Sequence, residues 1–235
     1  MNTNDFKTRT EIIEEQSTCP EGYWVLGLDT GYSSVKGKSP NKRFAFPYYA
    51  KKVPEGRAFL REAEDSDIRY RDETGEWVVG KLAYDEVNAK EIVDSEQELT
   101  GRHRFFTDIF RVTTRTGIAL GLMPNKYGSC EDKHIMIEAG LPPKYINDAV
   151  DLREALCGKH DFEVKVGAGN WIKYSIELKE NDIQVMPQPL GSLVSASTNA
   201  NGRQLKTAIQ YWSGNVIVFD PGYGLSLIHI SEPTR

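Results

Sequence analysis

Short apolar runs that alternate with polar turns indicate β-strands along much of the chain. "YWVLGLD" (Tyr23–Asp29) is a compact run of strand-forming residues that ends at an Asp-Thr-Gly turn. "IRYRDETGEWVVG" has the alternation and the Thr-Gly turn of a hairpin. The same criteria predict strands at 43–50, with Pro47 near the end, at 134–141, before Pro187 and at 215–220. Two further strands are predicted within 160–178, on either side of a Gly-rich turn.

Two segments have the spacing of amphipathic helices instead. Residues 103–123 place Phe106, Ile109, Phe110 and Ile118 near helical spacing, and Pro124 follows as a stop signal. Residues 146–156 repeat the pattern, and Gly158 is suited to end that helix. Strands and helices mixed in this order predict an α/β fold with a largely covered sheet.

Two other segments differ from this pattern. Residues 1–22 lack apolar periodicity and are predicted to be a leader, either mobile or a short solvated helix. The stretch from 51 to about 100 is highly charged apart from its hairpin, so we expect a peripheral subdomain there. The main domain is then predicted over residues 23–212.

Composition and charge exclude several classes of protein. The chain has 235 residues, of which 39% are hydrophobic, so a globular core is expected. A net charge of −5 argues against nucleic-acid binding over the whole surface. No apolar run approaches the roughly 20 residues that span a bilayer, and the polar N-terminus is no signal peptide. We expect a cytoplasmic protein that binds neither nucleic acid nor membrane directly.

The stretch "GLDTGYSSVKGKS" (Gly27–Ser39) fits two phosphate-binding devices. A P-loop would use Gly37, Lys38 and Ser39, but five residues rather than four follow Gly31, and Pro40 stands where the helix should begin. The alternative is a hairpin turn whose backbone amides and serine hydroxyls wrap phosphates. In it, an aspartate at the strand end holds Mg²⁺ through water and a lysine balances phosphate charge. We favour the hairpin.

A repeat supports the hairpin interpretation. "GLDTGY" is echoed by "VFDPGYG" (Val218–Gly224), and each follows an apolar strand. The two aspartates, Asp29 and Asp220, lie 191 positions apart, too far for a solenoid repeat. This separation suits two related domains that close on one nucleotide from opposite sides.

This arrangement resembles the actin-like ATPase superfamily, and within it the ParM/StbA-type plasmid-segregation proteins. "LGLDTGYSSVK" resembles the first phosphate loop of that family, and "VIVFDPGYG" the second. "RYRDETGEWVVGKLA", "IEAGLPPKYIND" and "VMPQPLGSL" resemble the segments between them. The resemblance implies an actin-like (ribonuclease H-like) ATPase domain I, followed at 213–224 by the first strand of domain II.

The resemblance also implies roles for individual residues. ATP and Mg²⁺ are the expected cofactors. Asp29 and Asp220 would contact Mg²⁺ through water, and Gln188 with Asp220 would act on the attacking water as the catalytic residues. A glutamine accepts a proton poorly, so Gln188 would position the water rather than deprotonate it. The remaining expected nucleotide contacts are Gly31, Tyr32, Ser33, Ser34, Lys36, Gly222 and Gly224.

The end of the chain departs from the family pattern. After Gly224 the family continues into a second domain, whereas this chain gives "LSLIHISEPTR", so we expect 225–235 to be a non-native tail on an N-terminal fragment. Such a fragment is expected to bind nucleotide weakly and to be inactive alone, which leaves open whether this chain is an ATPase. The parent protein would polymerise with ATP and move plasmid DNA through a DNA-bound adaptor protein. A small-molecule kinase of the same superfamily and a non-catalytic interaction module remain alternatives.

Overall fold

A computed structural model describes residues 9–56, 62–86, 102–199, 202–221 and 226–231. Its largest sheet has six strands. Their spatial order is β1 (Glu11–Glu14), β4 (Lys42–Pro47), β3 (Ser34–Ser39), β2 (Tyr23–Thr30), β8 (His134–Leu141) and β11 (Ile183–Pro187). The strands from β1 to β2 pair antiparallel, whereas β2, β8 and β11 are parallel. Three parallel strands therefore end together at one edge of this sheet.

A second sheet is antiparallel throughout. Its five strands, in spatial order, are β10 (Ile172–Leu178), β9 (Gly158–Val166), β6 (Ile68–Asp72), β7 (Gly75–Val79) and β5 (Ala50–Lys52). The helices are α1 (Lys81–Glu86), α2 (Asp108–Leu122), α3 (Ala149–Leu156), α4 (Gln188–Ser197) and α5 (Ala208–Trp212), with 3₁₀ turns at Arg102–Phe106, Pro143–Asp148 and Glu180–Asp182. Strands β12 (Val216–Pro221) and β13 (Ser226–Ser231) form a separate antiparallel pair.

Helix α2 lies between the two large sheets and joins them into one core. Thr107 caps its N-terminus by accepting a hydrogen bond from the Phe110 amide at 3.2 Å. Gly117 and Gly121 allow close packing on the six-stranded sheet, because a Cβ at Gly121 would lie 2.5 Å from Leu26 Cδ1. Most buried apolar residues of both sheets and of α2 form one continuous cluster, and Val78 packs with Leu82 and Ala83 in a second, smaller one.

The strands and both helices predicted between residues 23 and 221 are present, with bounds shifted by a few residues. Helix α2 begins only at Asp108, so Phe106 precedes it and is 58% exposed. Cys157 rather than Gly158 caps α3, and Gly158 comes next with a φ of 105°, a conformation that suits glycine. Gly37, Lys38 and Ser39 lie within β3 with no helix after them, which agrees with the rejection of the P-loop.

Two expectations, a leader at residues 1–22 and a peripheral subdomain at 51–100, differ from the described structure, while the domain outline itself stays a prediction. Residues 11–14 are not leader, because β1 pairs with β4 at the edge of the large sheet. The hairpin β6–β7 joins the five-stranded sheet through the pairing of β6 with β9, and all of its buried apolar residues except Val78 belong to the common core. Residues 226–231 pair with β12 and so take part in the fold, while their predicted foreign origin stays a prediction.

Candidate nucleotide-binding cleft

A cleft of about 640 Å³ opens where the three parallel strands end. In parallel α/β sheets this edge is where ligands bind, because the chain leaves each strand there and the next elements diverge. The cleft is lined mainly by small and polar residues: Leu28, Asp29, Glu138, Ala139, Gly140, Met186, Gln188, Gly191, Ser192, Ser195 and Ala196. Small side chains leave room for a ligand close to the backbone.

Two residues predicted from sequence meet in this cleft. Gln188 Nε2 donates a hydrogen bond to Asp29 Oδ1 at 3.1 Å, although 159 positions separate them. Asp29 is the penultimate residue of β2, and Gln188 is the first residue of α4, directly after β11. Gly140 on β8 makes room for this contact, because a Cβ there would lie 2.8 Å from Gln188 Cγ.

The sheet register also places Lys36 beside Asp29. The two residues are directly paired across β2 and β3, so their side chains emerge on the same face. Lys36 is exposed and Asp29 is half-buried. The turn between them is tight at Gly31, where a Cβ would lie 3.1 Å from the Ser34 carbonyl oxygen. A carboxylate and an ammonium group thus flank one hairpin turn.

Neighbouring elements hold this turn from two sides. The buried Arg104 guanidinium donates to the Thr30 carbonyl oxygen and lies 4.7 Å from the Tyr32 ring centroid. The Tyr48 amide donates to the Ser33 carbonyl oxygen at 3.0 Å. Tyr32 and Ser33 are half-buried at the surface of the turn, whereas Ser34 is only 3% exposed and lies beneath it. Arg104 was not among the residues predicted from sequence.

Glu138 is a second carboxylate of the cleft that the sequence reasoning missed. It lies on β8 two residues before Gly140, and burial raises the pKa of its side chain. A signal was available in "HIMIEAGL", because an acidic residue inside an otherwise apolar parallel strand is uncommon.

The second wall of the predicted site is not assembled in the described part of the chain. Asp220 belongs to β12, but its side chain is not described, and Gly222 and Gly224 lie outside the described residues. Strand β12 pairs antiparallel with β13, as β2 does with β3. The predicted roles of these three residues therefore stay predictions.

The donors present in the cleft fit a magnesium site of one particular kind. Within the described ranges no group of three His, Cys, Asp or Glu side chains could hold a metal ion by itself. Mg²⁺ commonly keeps several waters and uses one or two carboxylates together with substrate phosphates. Asp29, half-buried at the mouth of the turn, meets that requirement.

None of the described helices combines the length and apolarity needed to cross a bilayer.

The two sheets, the connecting helix and the cleft at the ends of the parallel strands define an α/β protein of the actin-like fold. Residues 27–191 match the N-terminal domain of the actin-like proteins. Since this match spans more than half of the sequence, the chain belongs to the actin-like protein family.

Solved structures agree with this fold. The chain is similar to the apo ParM protein of psk41, with 17% identity and a TM-score of 0.63 over 90% of this chain and 63% of that one. It is also similar to the actin-like protein Alp7A, with 15% identity and a TM-score of 0.60 over 89% and 56% of the two chains. The AlfA filament of B. subtilis plasmid pLS32 matches with 13% identity and a TM-score of 0.52 over 89% and 72%.

The similarities concern only part of the length of the related proteins. The chain spans less than two thirds of the ParM and Alp7A chains. A comparison with curated proteins finds no match. At these identities the structural likeness establishes the fold, which is that of ParM-type proteins.

Proposed function

We propose that this chain is the N-terminal part of an actin-like ATPase that polymerises with ATP and segregates plasmid DNA through a DNA-bound adaptor protein. One observation carries the nucleotide part of this proposal. Asp29 and Gln188, assigned as metal and water ligands from sequence, share a hydrogen bond in a cleft at the ends of parallel strands.

Each residue of the cleft has a separate role in this proposal. The backbone amides of the turn after β2, with Lys36, bind the phosphates. Asp29 would hold Mg²⁺ through water, and the ion would supply positive charge beside the phosphates. The side-chain amide of Gln188, held at Asp29, orients the attacking water. Asp220 with Gly222 and Gly224 would close the site from the second domain.

Self-association is proposed because related folds form filaments. AlfA, from a B. subtilis plasmid, has been solved as a filament, and a ParM of Clostridium botulinum forms a 15-stranded filament. ATP binding would hold two domains together and favour assembly, and hydrolysis would loosen the filament. The net charge of −5 favours an adaptor protein over direct DNA contact.

The test is sedimentation of the product of the complete native reading frame with and without Mg²⁺ and ATP. We expect ATP-dependent pelleting of the wild type and its loss in Asp29→Ala, because the ion is no longer held. Gln188→Ala should still pellet but release phosphate at least roughly tenfold more slowly, because the attacking water loses its orientation.

Gln184→Ala is the matched control for Gln188→Ala. Gln184 lies on β11, is exposed, and bonds only locally to the Asn181 carbonyl oxygen. It should behave as the wild type. ATP-independent behaviour of the wild type, or unchanged pelleting of Asp29→Ala, would contradict the proposal.

A further inference from the structure

Glu138 is a half-buried carboxylate on the floor of the cleft for which the proposed function gives no role. No hydrogen bond or ion pair joins it to any other residue in the described part of the chain. Burial raises the pKa of Glu138, and within the described residues no neighbouring cation offsets this effect. An unpaired carboxylate at such a position costs stability, so its presence calls for a function.

The sheet register fixes the position of Glu138 relative to the two residues already assigned. Gly27 of β2 pairs with Glu138, and Leu28 with Ala139, so Asp29 lies level with Gly140. Glu138 and Gly140 are two residues apart on one strand, about 7 Å, and face the same side of the sheet as Asp29. Gln188 covers Gly140, so Glu138 lies next to it on the cleft floor.

A cleft that accepts a triphosphate is an unfavourable place for a lone carboxylate. Repulsion from the phosphates is relieved only if the carboxylate takes up a proton or faces a cation. Hydrolysis releases a proton from the attacking water, and the amide of Gln188 cannot accept it. Glu138 and Gln188 line the same cleft, so a water bound there would have both side chains as neighbours.

We propose that Glu138 is the general base of hydrolysis, a role that rests on the proposed function. The water oxygen bonds to the γ-phosphorus while the bond from that phosphorus to the β,γ-bridging oxygen breaks. ADP leaves with the electrons of the broken bond. The proton of the water passes to the Glu138 carboxylate and from there to solvent.

The experiment compares Glu138→Gln with Glu177→Gln in the product of the complete native reading frame. The first change keeps the size of the side chain and removes its basicity. Glu177 lies exposed on β10, outside the cleft, and serves as the control. Phosphate release and the affinity for a non-hydrolysable ATP analogue are both measured. We expect Glu138→Gln to lose about 100-fold in hydrolysis rate with the affinity changed less than about threefold.

A double variant separates basicity from positioning. Glu138→Gln with Gln188→Glu returns a carboxylate to the neighbouring position, and the rate should recover at least roughly tenfold over the single variant. A single variant within about threefold of wild type would overturn the proposal. So would a parallel loss of analogue affinity, which would assign Glu138 to the cation. If the wild type pellets with ATP but does not hydrolyse it, the role of Glu138 as general base is rejected and the proposed nucleotide site is retained. If it neither pellets nor hydrolyses ATP, both proposals are rejected.

Discussion

The cleft and the buried charge network beneath the second sheet differ in how completely their polar side chains are paired. The network consists of Tyr70, Asp72, Arg111, Arg115 and His160, and its members bind one another. Asp72, whose side chain is fully buried, accepts a hydrogen bond from Tyr70 Oη at 2.8 Å and lies 3.3 Å from Arg115 Nη1. Burial alone would raise the pKa of Asp72, but hydrogen bonds from Thr74 and Tyr70 outweigh it and lower the pKa.

The cleft has the reverse character. Its floor is built from small residues, its carboxylates are half-buried, and Glu138 has no partner within the described residues. Polar groups that satisfy one another when buried stabilise a fold, whereas a half-buried carboxylate such as Glu138 that has no partner among the described residues is available to a ligand. The difference separates structural from functional charges in this molecule, and it can be tested.

The largest expected effect is on the network. Asp72→Ala leaves Arg115 without its carboxylate and Arg111 with only the exposed Asp108, and we expect a loss of about 3–5 kcal/mol in the free energy of unfolding. Urea denaturation measures this. Asp85→Ala is the control, since Asp85 forms an exposed pair with Lys81 and should change stability by less than about 1 kcal/mol. Equal effects of the two substitutions would abolish the distinction between buried and exposed charges.

An intermediate effect is expected from two glycines, one in each kind of environment. Gly121→Ala drives a methyl group into Leu26 of the core and should cost about 1–3 kcal/mol of stability. Gly140→Ala meets the Gln188 side chain, which can rotate toward the cleft, so stability should change by less than about 1 kcal/mol. Its effect should fall on phosphate release instead. A greater loss of stability in Gly140→Ala than in Gly121→Ala would contradict the account.

The smallest effect is a pH dependence of stability. His160 Nδ1 accepts a hydrogen bond from Arg115 Nε at 3.1 Å, so Nε2 carries the proton donated to the Leu156 carbonyl oxygen. Burial first, and then the charge of Arg115, lower the pKa of His160 below 6.5. The unfolded chain therefore binds more protons near that pH, and stability should fall as the pH drops through 6.5.

Denaturation at pH 7.5, 6.5 and 5.5 measures this trend. His160→Gln removes the titrating ring and should make the slope of stability against pH shallower. An unchanged slope would show that His160 is protonated equally in the folded and unfolded states.

The local features of the fold were predictable from sequence, and its long-range pairings were not. The strand of Asp29 and the helix before Pro124 follow from apolar runs bounded by turn and stop residues. The pairing of β6 with β9 joins segments about 90 positions apart, and a charged composition gave no indication of it. Strand β1 was missed because "EIIE" has only two apolar residues, and α4 because its Gly, Ser and Pro content suggests a loop.

The cleft was predictable to the extent that its residues resemble family motifs. Asp29, Lys36 and Gln188 were assigned on that basis; strand register places Lys36 beside Asp29, and Gln188 reaches Asp29 from α4. Arg104 was missed because the turn that it contacts at Thr30 lies 74 positions away, and Glu138 because the cleft that it lines includes Gln188, which is distant in sequence.

The measurement that tests the central claim most directly is hydrogen–deuterium exchange of the product of the complete native reading frame with saturating Mg²⁺ and ATP. Among the residues described here, we predict slower exchange at 29–36, 138–141 and 186–196, which line the cleft and its phosphate turn. Asp29→Ala should abolish that protection. Protection of the five-stranded sheet instead, or no ATP-dependent change in these three segments, would contradict the assignment of the cleft as the nucleotide site.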